Sequence, residues 1–259
     1  MARLAGIAFG VFTHVLFAVT VWYLFWFLKD GPPISDRGAL EWDAALAFQF
    51  AVVHSILLLP RVRKRLVPWI RSEFYGCFFC VATCATLLLT IAPWRASPVV
   101  LWECHGWLLR AVQAGFYASW VALVYSLALT GLGYQTGLTP WLHWLRGERP
   151  PRRGFQPRGA YRYLRHPVYL SFLGLVWFTP RMTLDHAVLT AIWTAYLLVG
   201  SVLKDRRLVH YLGDAYRRYQ ARVSGYPLVP FGPLARIPWQ DPDTATQAAA
   251  AVPPQRTAA

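Results

Sequence analysis

The sequence has few charged residues for its length. Only 15% of its 259 residues are Asp, Glu, Lys or Arg, whereas 56% are hydrophobic. Soluble domains contain about 25% charged residues and about 45–50% apolar residues. This composition therefore excludes a soluble globular enzyme and a disordered chain. The apolar residues fall in long runs, which indicate an integral membrane protein.

Acidic residues and cysteines are also scarce. The sequence contains 12 Asp and Glu and 26 Lys and Arg, which gives a net charge of +14. In a membrane protein, basic cytoplasmic loops explain such a charge. We expect contact with membrane lipids and no nucleic-acid partner, because so little soluble domain is present. Four cysteines are too few for a secreted disulfide scaffold.

Three of the cysteines, Cys77, Cys80 and Cys84, share one helical face. With Cys104 and His105 they suggest a metal site as a minor alternative. Free cysteine is a common small buried residue, and no second ligand pair complements the three. We therefore expect no metal.

The apolar runs predict the membrane helices, since about 20 apolar residues cross a bilayer. The N-terminal run is too long for a typical signal sequence and lacks a small-residue cleavage signature. The fifth run is too short to cross alone, and Thr179-Pro180 separates it from the sixth, so we predict a helical hairpin, with its first arm a candidate re-entrant segment. The predicted runs are residues 6–28, 44–59, 74–92, 108–129, 168–178 and 186–203.

After the hairpin, residues 204–223 place apolar side chains at helical spacing and arginines on the opposite face. This pattern predicts one amphipathic helix near the membrane surface. The fold class expected is all-α: a polytopic transmembrane bundle of about five to six helices, followed by this amphipathic cytoplasmic helix. We divide the chain into membrane helices (1–130), a core that contains a polar loop, the hairpin and the amphipathic helix (131–235), and a disordered tail (236–259).

The distribution of charge predicts the orientation. If the N-terminus lies inside, the inner segments hold 21 of the 26 basic residues. This asymmetry places both termini in the cytoplasm. The most polar segments of the chain then also face the cytosol.

The densest group of polar and aromatic side chains spans residues 159–169. Arg165 and His166 come directly before Pro167, which suits the first position of a helix. A helix N-terminus with free backbone N–H groups beside Arg and His side chains can bind an anionic group such as a carboxylate. A juxtamembrane belt of Arg and Tyr is the simpler alternative.

These residues resemble a motif of a membrane methyltransferase superfamily. The superfamily includes isoprenylcysteine carboxyl methyltransferases and phospholipid N-methyltransferases, and the likeness is greatest to its methanethiol S-methyltransferase branch. The likeness is specific over residues 155–230 and weaker before them. The residues that carry it are Arg165-His166-Pro167-x-Tyr169, Lys204-Asp205, and Leu212-Gly213-x-x-Tyr216-x-x-Tyr219.

The resemblance implies a methyltransferase that uses S-adenosyl-L-methionine, bound between the helix after Pro167 and the helix after the hairpin. Its acceptor is expected to be a small or lipophilic thiol. Catalysis is assigned to Arg165 and His166. The cofactor-binding residues expected are Tyr163, Arg165, His166, Pro167, Tyr169, Asp205 and Tyr216. The substrate-binding residues expected are His54, Arg162 and Lys204.

The sequence also departs from the family pattern. Lys204-Asp205 stands where two consecutive Glu are usual, so the first charge is reversed. The polar residues that the family usually has near the methyl acceptor are also replaced in this sequence. Two alternatives therefore stay open: transfer to a prenylated cysteine carboxylate or a lipid, and a non-catalytic membrane accessory protein that retains the fold.

Overall fold

The protein is described by a computed structural model covering residues 2–32, 40–151 and 154–239. It consists almost entirely of helices, so the predicted all-α class is confirmed. A 3₁₀ turn spans Gly159–Arg162. The α-helices of the described residues are α1 (Ala2–Asp30), α2 (Leu40–Leu57), α3 (Pro60–Leu66), α4 (Tyr75–Ile91), α5 (Gly106–Thr130), α6 (Leu132–Gln135), α7 (Leu138–Arg146), α8 (Pro167–Trp177), α9 (Leu184–Leu212) and α10 (Asp214–Arg222). Most of the predicted tail, residues 240–259, lies outside the described residues.

Six of these helices form the membrane bundle. Four of them, α1, α2, α5 and α9, are long and apolar enough to cross a bilayer, and α4 and α8 are shorter apolar helices. In the bundle α1 packs on α4, α4 on α2, α2 on α9, α9 on α8, and α8 on α5. The predicted polytopic bundle and its closing hairpin of α8 and α9 are thus confirmed.

The two arms of the hairpin differ in length. Helix α8 has 11 residues and so rises about 17 Å, whereas α9 rises about 31 Å between Leu184 and Asp205. The first arm continues beyond α8 as an extended segment that leads to α9. This segment includes strand β2 (Arg181–Thr183), which pairs antiparallel with β1 (Val100–Glu103) at the far end of the bundle. The first arm therefore reaches the same end as the loop before α5.

The structure corrects the predicted amphipathic helix over 204–223. Helix α9 continues to Leu212, and a separate α10 begins at Asp214. Gly213 lies between them with φ 55° and ψ −132°, a conformation that is easy only for glycine. The break turns α10 back across the end of the hairpin, which one continuous helix would not do.

The structure also places two helices, α6 and α7, in a segment that the sequence predicts as a polar loop (130–157). Helix α7 is amphipathic, and its Trp141 is buried against α1, where the indole N–H donates to Gly6 O at 3.0 Å. Gly137 and Gly147 flank α7 with φ 82° and 74°. Apolar residues at helical spacing between two glycines were the signal for this helix.

Candidate functional site

The candidate site lies where α8 begins and α9 ends. Arg165 and His166 precede α8 and are almost fully buried, with 1% and 0% of their surface exposed. The N–H groups of Arg165 and His166 donate to Ser224 O (2.9 Å) and Gly225 O (3.2 Å), which lie beyond α10. The chain after α10 therefore folds back against the segment before α8.

Asp205 of α9 is at the centre of this group. Its Oδ2 accepts from Arg165 Nε at 3.1 Å and lies 3.0 Å from Arg165 Nη2. Its Oδ1 accepts from the Tyr216 hydroxyl of α10 at 2.5 Å and lies 3.1 Å from His166 Nε2. Four of the predicted site residues, which span positions 165 to 216, thus meet at one carboxylate.

Arg165 also holds the returning chain. Its Nη1 donates to the carbonyls of Gln220, Val223 and Ala235 at 3.3, 2.8 and 2.9 Å, and its Nη2 donates to Pro233 O at 3.0 Å. A guanidinium has five N–H donors. All of them are therefore directed at acceptors of the protein itself, which makes Arg165 the residue that fastens residues 220–235 to the bundle.

His166 lies beside this ion pair. Burial lowers the pKa of its imidazole, and the neighbouring Asp205 carboxylate opposes that shift. The ring packs at 5.5 Å from the ring of Tyr169 and 5.8 Å from that of Tyr226. Its Nδ1 is buried and has no hydrogen-bond partner in the described part of the chain. A buried polar atom without a partner is costly, so this atom points to a ligand.

The first turn of α8 offers further donors. Leu170 N–H bonds back to His166 O at 3.0 Å, and Pro167 has no N–H to donate. The N–H groups of Val168 and Tyr169 have no acceptor within residues 2–32, 40–151 and 154–239. This end of α8 therefore presents two unpaired amide donors with the positive end of the helix dipole.

Aromatic side chains line the same region. Tyr216 and Tyr219 of α10 pack with Phe155, and burial raises the pKa of both phenols. The Tyr219 hydroxyl donates to Tyr161 O at 2.5 Å. The Tyr226 hydroxyl, which sequence reasoning did not select, lies 2.6 Å from Ser201 Oγ. These contacts connect α10 and the returning chain with α9 and with the segment before α8.

Lys204 stands one residue before Asp205 and is half-buried. Its Nζ lies 5.2 Å from the ring centroid of Tyr169 and 5.8 Å from that of Tyr161. These distances are those of cation–π contacts. The structure thus brings Lys204 to the start of α8.

Three predicted site residues lie apart from this group. The side chains of Arg162 and Tyr163 are exposed, Tyr163 by 78%. His54 lies inside the bundle, with Nδ1 3.3 Å from Thr83 Oγ1 and its ring 6.2 Å from that of Tyr196. The roles assigned to these residues stay predictions.

The cysteines do not form a comparable centre. Cys77, Cys80, Cys84 and Cys104 are all buried and form no disulfide. Within the described residues, no group of three or more His, Cys, Asp or Glu side chains is arranged to hold a metal ion.

Comparison with known proteins gives relatives along most of the chain. Methanethiol S-methyltransferase 1 of Bradyrhizobium diazoefficiens is 29% identical over 228 residues, which cover 83% of this chain and 79% of that protein. Methanethiol S-methyltransferase of Mycobacterium tuberculosis is 29% identical over 237 residues, covering 86% and 96%. Nurim of Rattus norvegicus is 25% identical over 203 residues, covering 72% and 76%.

Profiles of known protein families give no match, and neither do the solved structures. The names of the first two relatives support a membrane methyltransferase. The resemblance to the membrane methyltransferase superfamily that the motifs predict is therefore confirmed.

Proposed function

We propose that this protein is an integral membrane methyltransferase that uses S-adenosyl-L-methionine and methylates a small thiol. The observation that carries the proposal is the set of polar groups without a partner at the start of α8: His166 Nδ1 and the N–H groups of Val168 and Tyr169. The similarity to methanethiol S-methyltransferases supports the choice of reaction and acceptor.

The residues at this site fit parts of the cofactor. The amide donors of α8 suit its carboxylate, and the aromatic side chains beside them suit its adenine. Asp205 is one of the cofactor-binding residues that the resemblance predicts. Both of its oxygens are already engaged by Arg165, His166 and Tyr216, so in this arrangement Asp205 supports the site from behind.

The bound cofactor supplies an electrophilic methyl group on a sulfonium. A thiol must lose its proton to attack, and with a pKa of about 8.5 only a few per cent is thiolate at neutral pH. Positive side chains at the site raise that fraction. The protein otherwise contributes by positioning the two reactants and by excluding water from them.

The predicted orientation agrees with a cofactor that comes from the cytosol. The donors of α8, α10 and the returning chain all lie at the end of the bundle where α1 begins. Arg3 of α1 contacts Leu145 O at 3.4 Å at this same end. We therefore propose that this end faces the cytoplasm, with both termini on that side.

The test is binding followed by transfer. The purified protein in detergent is titrated with S-adenosylhomocysteine by calorimetry and is then assayed for methyl transfer to methanethiol, prenylcysteine and phospholipid. We expect binding and transfer to the thiol. His166→Phe, which keeps a ring but removes Nδ1, is expected to weaken binding, whereas the exposed Arg206→Met is not.

The same experiment separates the alternatives. Transfer only to prenylcysteine or to lipid would replace the thiol as acceptor and keep the reaction class. A folded protein that does not bind S-adenosylhomocysteine would refute the enzyme and favour the accessory protein. The second candidate is the accessory protein, because Lys204 has a positive charge where the family usually has a Glu.

A further inference from the structure

The ammonium group of Lys204 forms no ion pair with the described part of the chain. Although Lys204 is half-buried, none of the ion pairs or hydrogen bonds among the described residues involves its Nζ. The neighbouring carboxylate of Asp205 is directed to Arg165, His166 and Tyr216 instead. Tyr161 and Tyr169 contact the ammonium through their ring faces only, and these contacts leave its net charge in place.

Neighbouring arginines are less available to a ligand. Arg165 directs all its donors to Asp205 and to four backbone carbonyls. Arg207, one turn further along α9, donates to Leu58 O at 3.3 Å on the side of α2. Among these three cations, Lys204 is therefore the one whose donors remain open towards α8.

The position of Lys204 links it with the unpaired amides of α8. Tyr169 supplies one of those amides and also the closer of the two rings under the ammonium group. The Tyr169 ring lies against α9 at Gly200, one helical turn before Lys204. Lys204 and the His166 ring thus both contact the ring of Tyr169, whose backbone N–H is unpaired. Among the described residues, Asp205 is the acid that lies at this position.

We propose that Lys204 binds the carboxylate of the methyl donor's amino-acid part, together with the N–H groups of Val168 and Tyr169. This inference rests on the proposed function. The carboxylate is the one anionic group of S-adenosylmethionine, whose sulfonium and ammonium groups an unpaired lysine repels. A charge-assisted hydrogen bond at this position therefore fixes which end of the cofactor faces α8.

The test compares two ligands that differ only in the carboxylate: S-adenosylmethionine and its decarboxylated form. Calorimetry in detergent measures both with the unsubstituted protein, Lys204→Met, Lys204→Arg and Arg206→Met. We expect Lys204→Met to weaken binding of S-adenosylmethionine by about tenfold to a hundredfold. The decarboxylated ligand, which is purely cationic, should bind Lys204→Met as well as or better than the unsubstituted protein.

Lys204→Arg keeps the charge and should keep most of the preference for the carboxylate. Arg206→Met removes an equal charge from the exposed face of α9 and should leave both affinities unchanged. Binding of the decarboxylated ligand shows in each case that the variant is folded.

Two results would overturn the role of Lys204 while the proposed function stands. In one, Lys204→Met changes the affinity for both ligands equally or for neither. In the other, Lys204→Met still binds S-adenosylmethionine in preference to the decarboxylated ligand, and its pH profile of methyl transfer moves to higher pH. That result would mean that Lys204 stabilises the acceptor thiolate. An unsubstituted protein that binds neither ligand would instead refute the proposed function, and this inference with it.

Discussion

The two ends of α9 each bury an aspartate, and the two aspartates are held in different ways. At the far end Asp185 lies in the first turn of α9 and accepts from Trp94 Nε1 (2.8 Å) and Ser97 N–H (2.9 Å), both neutral donors. At the candidate site Asp205 lies well inside the helix and pairs with the Arg165 guanidinium. An acid in the first turn also interacts favourably with the helix dipole, which an acid at position 205 does not.

The polar atoms left unpaired at the two ends have opposite character. Near Asp185, the buried Asp43 accepts from Arg95 N–H, and its second oxygen, Oδ2, has no partner in the described ranges. At the candidate site the groups left over include three donors, two N–H groups of α8 and the Lys204 ammonium, beside His166 Nδ1. At the far end, the aspartates bind the backbone of the loop after α4. At the site end, unpaired N–H groups and an ammonium group are available to bind an anion.

Arg165→Met is expected to have the largest effect. It leaves Asp205 buried without its cation and removes the donors to four carbonyls of residues 220–235. Breaking a buried ion pair from one side costs about 3–5 kcal/mol. We expect a large drop in the thermal unfolding temperature in detergent and in the yield of folded protein.

Arg162→Met is the matched control, because Arg162 carries the same charge three residues earlier and is exposed. If the two variants unfold at the same temperature, Arg165 does not fasten the returning chain.

Asp205→Asn and Asp185→Asn test the comparison of the two ends directly. An amide at 185 keeps one acceptor oxygen and turns its NH2 group towards the other of the two neutral donors, Trp94 or Ser97, so we expect a loss of about 1–2 kcal/mol. An amide at 205 leaves a buried guanidinium uncompensated, so the loss should exceed that of Asp185→Asn by about 2 kcal/mol or more. Denaturation of both variants in one detergent measures the difference, and equal losses would contradict a charge-dependent role for Asp205.

The pH dependence of stability is the smallest effect expected. Burial lowers the pKa of His166 in the folded protein below its ordinary value of 6.5. Below pH 6.5 the unfolded chain therefore binds a proton that the folded protein does not. Titration of His166 therefore leaves the free energy of unfolding unchanged above pH 6.5. As the pH falls from 6.5 towards the lowered pKa, the free energy of unfolding decreases by at most about 1.4 kcal/mol per pH unit.

The contribution of His166 is measured from the unfolding temperatures of the unsubstituted protein and of His166→Gln between pH 7.5 and pH 5. The variant should show a weaker dependence, whereas His210→Gln, at an exposed position, should not differ from the unsubstituted protein. Parallel curves for all three proteins would assign the acid sensitivity to other groups.

Much of the fold could be predicted because the bilayer sets strong rules. Each predicted apolar run corresponds to a helix of the bundle, since an isolated membrane segment must satisfy its own backbone hydrogen bonds. The end of α9 was harder to predict. Arginine and tyrosine continue the helical spacing through Gly213, and only the backbone geometry there separates α10 from α9.

The site could be predicted in part. Arg165, His166, Asp205 and Tyr216 were selected from the sequence, and the structure brings them together. Their contacts could not be predicted, because the carbonyls that occupy Arg165 belong to residues up to 70 positions away. Tyr226 was missed because a single tyrosine in a Gly-Pro segment carries no periodic signal.

The sequence by itself determined that this protein lies in a membrane, how many apolar segments it has, and which polar residues carry the family motif. These properties follow from composition, run length and residue order, which need no partner in space. Only the tertiary structure decided that Arg165 is fully engaged within the protein while Lys204 is left open. A buried cation must find its acceptors, and whether residues 220–235 return to supply them depends on the packing of α10 against the hairpin.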